Sequence, residues 1–137
     1  MADEALPFLR RPGAGRHVLV VDDGSLIRLY YRGILEDAGF IVTEAINGIE
    51  AMEKVLSTRF DLLIVDINMP RMDGLAFLRA LRATAPVASL PVLIASTEAG
   101  PQDRAAARGA GANHYLTKPV TDADLRLFAA LLTGAPA

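Results

Sequence analysis

Five short apolar runs alternate with five segments of helical periodicity along the chain, and this alternation constrains the fold more than any other feature. The apolar runs are His17 to Val21, Ile41 to Ala45, Leu62 to Asp66, Pro91 to Ala95 and His114 to Thr117. Short continuous apolar runs are typical of strands that are buried on both faces, as in parallel sheets. The second run is the most polar, which predicts an edge strand. Strands that alternate with helices predict an α/β fold, with helices on both faces of a parallel sheet.

The segments between the strands carry local signals for helix ends and helix faces. Ser25 is placed to cap the first helix, because serine is a favoured N-cap residue. In the second helix, the apolar residues expected to face inward are Ile49, Met52, Val55 and Leu56. The fourth helix is poor in large apolar residues, which predicts light packing.

The composition indicates one globular domain. The chain has 137 residues, of which 52% are apolar and 22% are charged. These values suit a single well-buried core and not a disordered chain. Proline and glycine interrupt the start of the chain. We therefore assign residues 1–16 to a flexible N-terminal leader, 17–134 to the domain and 135–137 to a C-terminal tail.

The composition also excludes several classes of function. The chain has no cysteine, which excludes disulfides, thiolate metal sites and thiol catalysis. Its net charge of -2, without blocks of like charge, does not favour binding to nucleic acid or to anionic membranes. No apolar run is long enough to span a membrane, and the N-terminus lacks the apolar stretch of a signal peptide. We expect a cytoplasmic protein with no nucleic-acid or membrane partner.

Polar side chains follow four of the predicted strands at the point where each strand ends. Asp22 and Asp23 follow the first strand, and Asp66 ends the third. Ser96 and Lys118 follow the fourth and the fifth. In open parallel sheets, ligands bind beyond the carboxyl ends of the strands. A single aspartate or serine at a strand end is usually a turn former or a helix cap, but their joint occurrence at four ends indicates a shared site.

This set of residues predicts phosphoryl chemistry supported by a metal. Three carboxylates repel one another, and a hard divalent cation with oxygen ligands removes that repulsion. The acids suit Mg²⁺ better than a calcium cage, and a chain with only His17 and His114 offers few zinc ligands. A carboxylate can attack phosphorus to form an acyl phosphate. Lys118 and Ser96 can then stabilise the charge on the phosphoryl oxygens.

These residues stand in motifs that resemble the receiver domains of two-component response regulators. The motifs are VLVVDD at 18–23, LLIVDINMPRMDG at 62–74, PVLIAST at 91–97 and GANHYLTKP at 111–119. The resemblance extends over about residues 18–132. It implies a flavodoxin-like, doubly wound parallel sheet of five strands in the order 2-1-3-4-5, with five helices.

The resemblance also implies the roles of the residues that react. Asp66 is the phosphoacceptor, and Lys118 grips the phosphoryl group. The side chains of Asp23 and Asp66 bind Mg²⁺. The backbone carbonyl of Asn68 supplies a further ligand, and Asp22 acts through a metal-bound water. Such a domain catalyses only its own phosphorylation and dephosphorylation, so it is not expected to be an enzyme that acts on a separate substrate.

A second group of residues takes its roles from the same resemblance. Ser96 occupies the place of the family's switch hydroxyl, and Tyr115 the place of its switch aromatic residue. Asn68 and Glu98 occupy positions that tune dephosphorylation, and this pair is typical of the chemotaxis type. The Lys118–Pro119 peptide bond is expected to be cis.

We expect no output domain after the receiver. The phosphorylated surface of the receiver is therefore expected to bind the partner itself. The phosphodonor is expected to be a histidine kinase or a phosphotransfer protein. The target is expected to be an effector protein such as the flagellar motor switch, and a phosphatase is a further partner. We expect a monomer that can dimerise on phosphorylation and that works in chemotaxis.

Three alternatives stay open. Within signalling, the domain could be a phosphorelay shuttle or a phosphate sink. A haloacid-dehalogenase-like phosphatase also uses an aspartate nucleophile, but it has a DxDxT signature where this chain has VDDGS, and no cap fits in the length. A pseudo-receiver would lack phosphoryl chemistry. The complete set that argues against it is Asp22, Asp23, Asp66, Ser96 and Lys118.

Overall fold

A computed structural model describes residues 13–134, and this part of the chain forms five strands and five helices. The strands are β1 (His17–Val21), β2 (Ile41–Ala45), β3 (Leu62–Asp66), β4 (Val92–Ser96) and β5 (His114–Thr117). The helices are α1 (Ser25–Asp37), α2 (Gly48–Ser57), α3 (Gly74–Arg82), α4 (Pro101–Ala110) and α5 (Asp122–Thr133). None of these helices is long and apolar enough to cross a membrane. Most of the predicted leader, residues 1–12, and the predicted tail, 135–137, lie outside the described residues.

The five strands are parallel and lie in the order β2-β1-β3-β4-β5. At the centre of the sheet, Val20 in β1 pairs with Glu44 in β2 and with Ile64 in β3. The direction in which strands are added reverses between β1 and β3, which is the switch point of a flavodoxin-like fold. The predicted topology and the predicted edge position of β2 are confirmed.

Two apolar layers cover the sheet, because successive residues of a strand point to opposite faces. On one face, Val18 and Val20 of β1 lie in a layer with Tyr31 of α1 and Leu125 of α5. On the other face, Leu19 lies in a layer to which α2, α3 and α4 contribute. Each layer is closed by helices, so ligands reach the sheet only at its ends.

Side-chain caps start three of the helices. Asn47 caps α2, Asp73 caps α3 and Thr121 caps α5, each by accepting a hydrogen bond from the N–H three residues further on. The prediction that Ser25 caps α1 is wrong. Gly24 is the N-cap, because its carbonyl already accepts the first helical hydrogen bond, from Arg28, and Ser25 is the first helical residue.

The buried face of α2 differs from the predicted one. Ile49 is 40% exposed and Leu56 is 57% exposed, whereas Ala51 and Val55 are buried. Met52 is half-buried. Ala51 and Val55 are four residues apart and so lie on one line of the helix, and the small alanine lets that line approach the sheet. The inward prediction is therefore wrong for Ile49 and Leu56 and confirmed for Val55.

Strand β4 is shifted by one residue from its predicted bounds. It begins at Val92 and includes Ser96. Pro91 has no N–H to extend the ladder, although its carbonyl accepts a 2.9 Å hydrogen bond from Leu63. Ser96 is therefore held by the sheet itself and does not lie in the loop that follows. The prediction of light packing is confirmed for α4, whose buried residues are two alanines.

Residues 13–16, which the sequence assigns to the leader, pack against the domain. The N–H of Gly13 donates a 2.9 Å hydrogen bond to the carbonyl of Ala38. Arg16 Nε donates a 3.2 Å hydrogen bond to the carbonyl of Thr133, near the end of α5. The segment before β1 and the last turn of α5 therefore meet at the amino-terminal edge of the sheet.

Candidate functional site

Three aspartates meet at the carboxyl edge of the sheet, where β1 and β3 end side by side. One carboxylate oxygen from each of Asp22, Asp23 and Asp66 lies within 4.8 Å of the others. Asp22 and Asp66 are buried, whereas Asp23 is exposed. All the donors are carboxylate oxygens and one acid faces solvent, which is the kind of site that a partly hydrated Mg²⁺ prefers. The three residues therefore fit a magnesium site.

The ammonium group of Lys118 lies between two of these acids. Its Nζ donates a 2.8 Å hydrogen bond to Asp22 Oδ2 and lies 3.4 Å from Asp66 Oδ1. The Lys118 N–H continues the pairing of β5 with β4 by donating to the Ser96 carbonyl at 2.7 Å. The Lys118–Pro119 peptide bond is cis, as the resemblance implies, and Ala85–Pro86 is also cis. One cation thus offsets part of the repulsion in the cluster.

The electrostatics of Asp66 follow from its position in this cluster. Burial raises the pKa of the Asp66 carboxyl, and the charge of Asp22 raises it further. The ammonium of Lys118 and a backbone hydrogen bond from Asn68 lower it, but the net pKa stays above its ordinary value. A divalent cation at the same edge would favour the ionised carboxylate, which is the form that can act as a nucleophile.

Ser96 and Tyr115 are both connected to the main chain of Glu98. Ser96 is fully buried, and its Oγ accepts a 3.1 Å hydrogen bond from the Glu98 N–H. The Tyr115 hydroxyl donates a 2.6 Å hydrogen bond to the Glu98 carbonyl. The Tyr115 ring is buried in this structure, and the guanidinium carbon of Arg104 lies 4.9 Å from the ring centroid.

A hydrogen bond between two exposed side chains connects the loops beside Asp66. Asn68 Nδ2 donates to Glu98 Oε1 at 3.3 Å, which joins the loop after β3 to the loop after β4. Both loops follow strands whose carboxyl ends lie at the edge that carries the acidic cluster.

The loop after β3 returns to its own strand at Gly74. The Gly74 N–H donates a 2.9 Å hydrogen bond to the Ile67 carbonyl. A Cβ at position 74 would lie 2.2 Å from the backbone oxygen of Asp66, so only glycine fits this close approach. Arg71, in the same loop, has a φ of 72°, which is unusual for a residue other than glycine. The loop that carries Asn68 is thus fixed at both ends.

The structure brings most of the predicted site residues together. Asp22, Asp23, Asp66 and Lys118 form one cluster, whereas Ser96 lies buried at the neighbouring strand end. Sequence reasoning missed one residue at this edge, the arginine at position 28. It donates a 2.7 Å hydrogen bond to the backbone carbonyl of Asp22. The available signal was a cation on α1 shortly after an aspartate pair.

The chain is similar to known signalling proteins over most of its length. Residues 18–130 match the response regulator receiver domain family. The chain is 42% identical over 105 residues to the chemotaxis protein CheY of Pseudomonas aeruginosa, and the alignment covers 76% of this chain and 85% of that protein. It is 39% identical over 115 residues to the gliding motility regulatory protein of Myxococcus xanthus, covering 83% of this chain and 15% of that protein. It is 41% identical over 102 residues to the response regulator MprA of Mycobacterium ulcerans, covering 74% of this chain and 43% of that protein. The chain thus spans less than half the length of the last two relatives.

Solved structures agree with this relationship. Chemotaxis protein CheY4 of Vibrio cholerae superposes with a TM-score of 0.78 at 36% identity, over 86% of this chain and 97% of that chain. The receiver domain of a histidine kinase from Syntrophus aciditrophicus gives a TM-score of 0.82 at 31% identity, over 88% of this chain and 91% of that chain. Receiver domains are signalling domains that bind Mg²⁺ at an acidic site, and the cluster of aspartates described above fits that property. The chain belongs to the response regulator receiver domain family.

Proposed function

We propose that Asp66 accepts a phosphoryl group in a Mg²⁺-dependent reaction and that the phosphorylated domain signals by binding a partner protein. The observation that carries this proposal is the position of Lys118 Nζ, 2.8 Å from Asp22 and 3.4 Å from Asp66. In this arrangement the buried carboxylate of Asp66 can act as the nucleophile, and the ammonium of Lys118 beside it can bind the anionic phosphoryl group.

The chemistry is a transfer to a carboxylate oxygen. An Asp66 oxygen attacks phosphorus, and the bond between phosphorus and the donor histidine nitrogen breaks. The electron pair of that bond returns to the imidazole, and an acyl phosphate forms on Asp66. Mg²⁺ bound by Asp23, by Asp66 and by the Asn68 carbonyl, with Asp22 acting through water, would supply positive charge to the phosphoryl oxygens.

Lys118 is proposed to follow the negative charge as it moves. In the structure its ammonium is closer to Asp22 than to Asp66. A phosphoryl group on Asp66 adds charge within reach of the same ammonium, which then binds a phosphoryl oxygen. Ser96 is proposed to bind another oxygen through its hydroxyl, and Tyr115 to respond through Glu98. Asn68 and Glu98 are proposed to set the rate of dephosphorylation.

We infer that the pathway is chemotaxis and that the location is the cytoplasm. The 42% identity to a CheY protein, of which 85% is covered, supports this choice. The proposed phosphodonor is a histidine kinase or a phosphotransfer protein. The proposed target is an effector such as the flagellar motor switch, and a phosphatase is a further partner. The domain is proposed to be a monomer that can dimerise on phosphorylation.

The experiment is incubation of the protein with acetyl phosphate and Mg²⁺, followed by intact mass measurement. The wild-type protein should gain one phosphate, and Asp66→Asn should gain none, because an amide oxygen is a far poorer nucleophile. Asp124→Asn, at an exposed aspartate on α5, is the matched control and should be phosphorylated like the wild type. A phosphate that persists in Asp66→Asn would contradict the proposal. Turnover of a phosphomonoester would instead favour a phosphatase.

A further inference from the structure

Arg28 connects the acidic edge of the sheet to the neighbouring strand β2. It lies in the first turn of α1, and its side chain is only 14% exposed. One terminal nitrogen, Nη1, donates a 2.7 Å hydrogen bond to the backbone carbonyl of Asp22. Its Nε donates a 2.7 Å hydrogen bond to Glu44 Oε1. The guanidinium therefore holds the turn after β1 against the side chain of a residue in β2.

Asp22 has a partner for each of its polar groups. Its N–H donates to the Ala45 carbonyl at 3.1 Å, and its Oδ1 accepts from the Gly24 N–H at 2.8 Å. Its Oδ2 accepts from Lys118, and its carbonyl accepts from Arg28. Of these contacts, the one from Lys118 is expected to weaken when a phosphoryl group arrives. The contact from Arg28 involves the main chain, so it can hold the turn whichever anion Lys118 binds.

We infer that Arg28 is a positioning residue for the metal site, which fixes the turn that carries Asp22 and Asp23 so that both acids meet Asp66. Glu44 is its anchor. This inference rests on the proposed Mg²⁺-dependent function and names a residue outside the proposed metal ligands. Because Asp23 is exposed, burial does not hold its side chain in place. The three acids therefore lie within 4.8 Å of one another only while the turn after β1 keeps its position.

The anchor is itself held by further cations. Glu44 Oε2 accepts a 2.7 Å hydrogen bond from Arg32 Nε. This bond, above all, holds the pKa of the Glu44 carboxyl below its ordinary value, so the anchor stays ionised near neutral pH. Lys54 donates to the backbone carbonyl of Glu44. Arg28 therefore contacts a glutamate whose position is fixed by other residues. Its planar guanidinium can donate to Glu44 and to the Asp22 carbonyl at the same time.

The direction in which Mg²⁺ affinity changes when Arg28 is removed separates a positioning role from a purely electrostatic one. Arg28 is a cation near a cluster of acids that is expected to bind another cation. By charge alone, its removal should strengthen Mg²⁺ binding. If Arg28 acts by position, its removal should weaken Mg²⁺ binding, because the acids no longer stand in one arrangement. Only the positioning role predicts a loss of affinity.

The experiment is calorimetric titration of Mg²⁺ into four proteins: the wild type, Arg28→Met, Arg28→Lys and Arg32→Met. Arg28→Met should weaken Mg²⁺ binding about tenfold, as is typical when a residue that orients metal ligands is removed. Arg28→Lys should fall between it and the wild type, since one ammonium replaces a two-pronged group. Arg32→Met is the matched comparison: it removes a partner of Glu44 from the same helix but leaves the hydrogen bond from Arg28 to Asp22, so its loss of affinity should be smaller than that of Arg28→Met.

Urea unfolding of each variant separates loss of affinity from loss of folding. If Arg28→Met does not fold, Arg28→Lys decides the comparison. Equal or tighter Mg²⁺ binding in the Arg28 variants would overturn the inference, as would an equal loss in Arg32→Met. If the wild type binds no Mg²⁺, both this inference and the proposed Mg²⁺-dependent function fail. If the wild type binds Mg²⁺ and is phosphorylated while the Arg28 variants bind Mg²⁺ normally, only this inference fails.

Discussion

The hydroxyl of Tyr115 donates a 2.6 Å hydrogen bond to the carbonyl of Glu98, in the loop between β4 and α4. The N–H of the same glutamate donates to Ser96 Oγ at 3.1 Å. The two proposed switch residues are thus joined through the main chain of one residue. A displacement of the Ser96 hydroxyl toward a phosphoryl group would release one side of Glu98 while Tyr115 holds the other.

This relationship predicts the behaviour of variants at both positions. Ser96→Ala and Tyr115→Phe should still be phosphorylated. Phosphorylation should rearrange residues 97–110 less in these variants than in the wild type, because it can favour one conformation of this segment only through contacts that differ between the two conformations. Amide hydrogen exchange with and without beryllofluoride measures the change. Tyr30→Phe is the matched control, since its hydroxyl donates to the Val120 carbonyl at 2.9 Å. A full response in both Ser96→Ala and Tyr115→Phe would contradict this route.

The two adjacent aspartates should contribute unequally to Mg²⁺ binding. Asp23 is exposed, whereas the carboxylate of Asp22 is already held by Gly24 and Lys118. Asp23→Asn should therefore weaken Mg²⁺ binding at least about tenfold and by more than Asp22→Asn does. Calorimetric titration of both variants measures this difference. An equal loss, or a greater loss in Asp22→Asn, would contradict the assignment of Asp23 as a direct ligand and Asp22 as a water-mediated one.

Two glycines should respond in opposite directions to replacement by alanine. Gly74→Ala should destabilise the protein by about 1–3 kcal/mol, because overpacking forces the backbone apart. Its Cβ would lie 2.2 Å from the Asp66 oxygen. At Gly33, in α1, an added Cβ would meet no atom of residues 13–134 within 4 Å, so Gly33→Ala should stabilise the protein by about 0.5–1 kcal/mol. Urea unfolding at equilibrium measures both. Destabilisation by both changes would contradict the prediction.

Stability should fall below neutral pH through His114. Burial, and then the charge of Arg104, lower the pKa of His114 in the folded protein, while Asp124 opposes them. The unfolded chain therefore binds a proton at this histidine before the folded protein does, so stability is complete above the unfolded pKa of about 6.5 and decreases as the pH falls through it. The rings of His114 and Phe128 are stacked, with their centroids 4.0 Å apart. His114→Phe keeps an aromatic ring in this contact and should reduce the slope of the unfolding free energy against pH between pH 7.5 and 5.5, roughly one unit either side of that pKa. An unchanged slope would contradict the assignment.

The acidic cluster could be predicted from the sequence because it depends on topology alone. Once strands alternate with helices, their carboxyl ends meet at one edge. Asp22, Asp66 and Lys118 then approach one another whatever the details of packing.

The features that could not be predicted depend on the rotation of a helix or the reach of a side chain. The face of α2 is set by which residue is small enough to lie near the sheet, so Ile49 and Leu56 are exposed despite their apolar character. The position of Arg28 shortly after an aspartate pair is visible in the sequence, but the contact of its guanidinium with a main-chain carbonyl depends on the reach of the side chain. The burial that raises the pKa of Asp66 likewise depends on the complete packing of the edge.

The hydrogen bond from Arg16 to the Thr133 carbonyl has a practical consequence for attaching reporters. Both residues stand at the amino-terminal edge of the sheet, and the five residues of β1 separate that edge from the acids by about 17 Å. A fluorophore or a surface tether placed near either residue would therefore leave the opposite edge uncovered. A domain immobilised in this orientation would present Asp66 to kinases and effectors in solution, and the same attachment point would serve every variant described above.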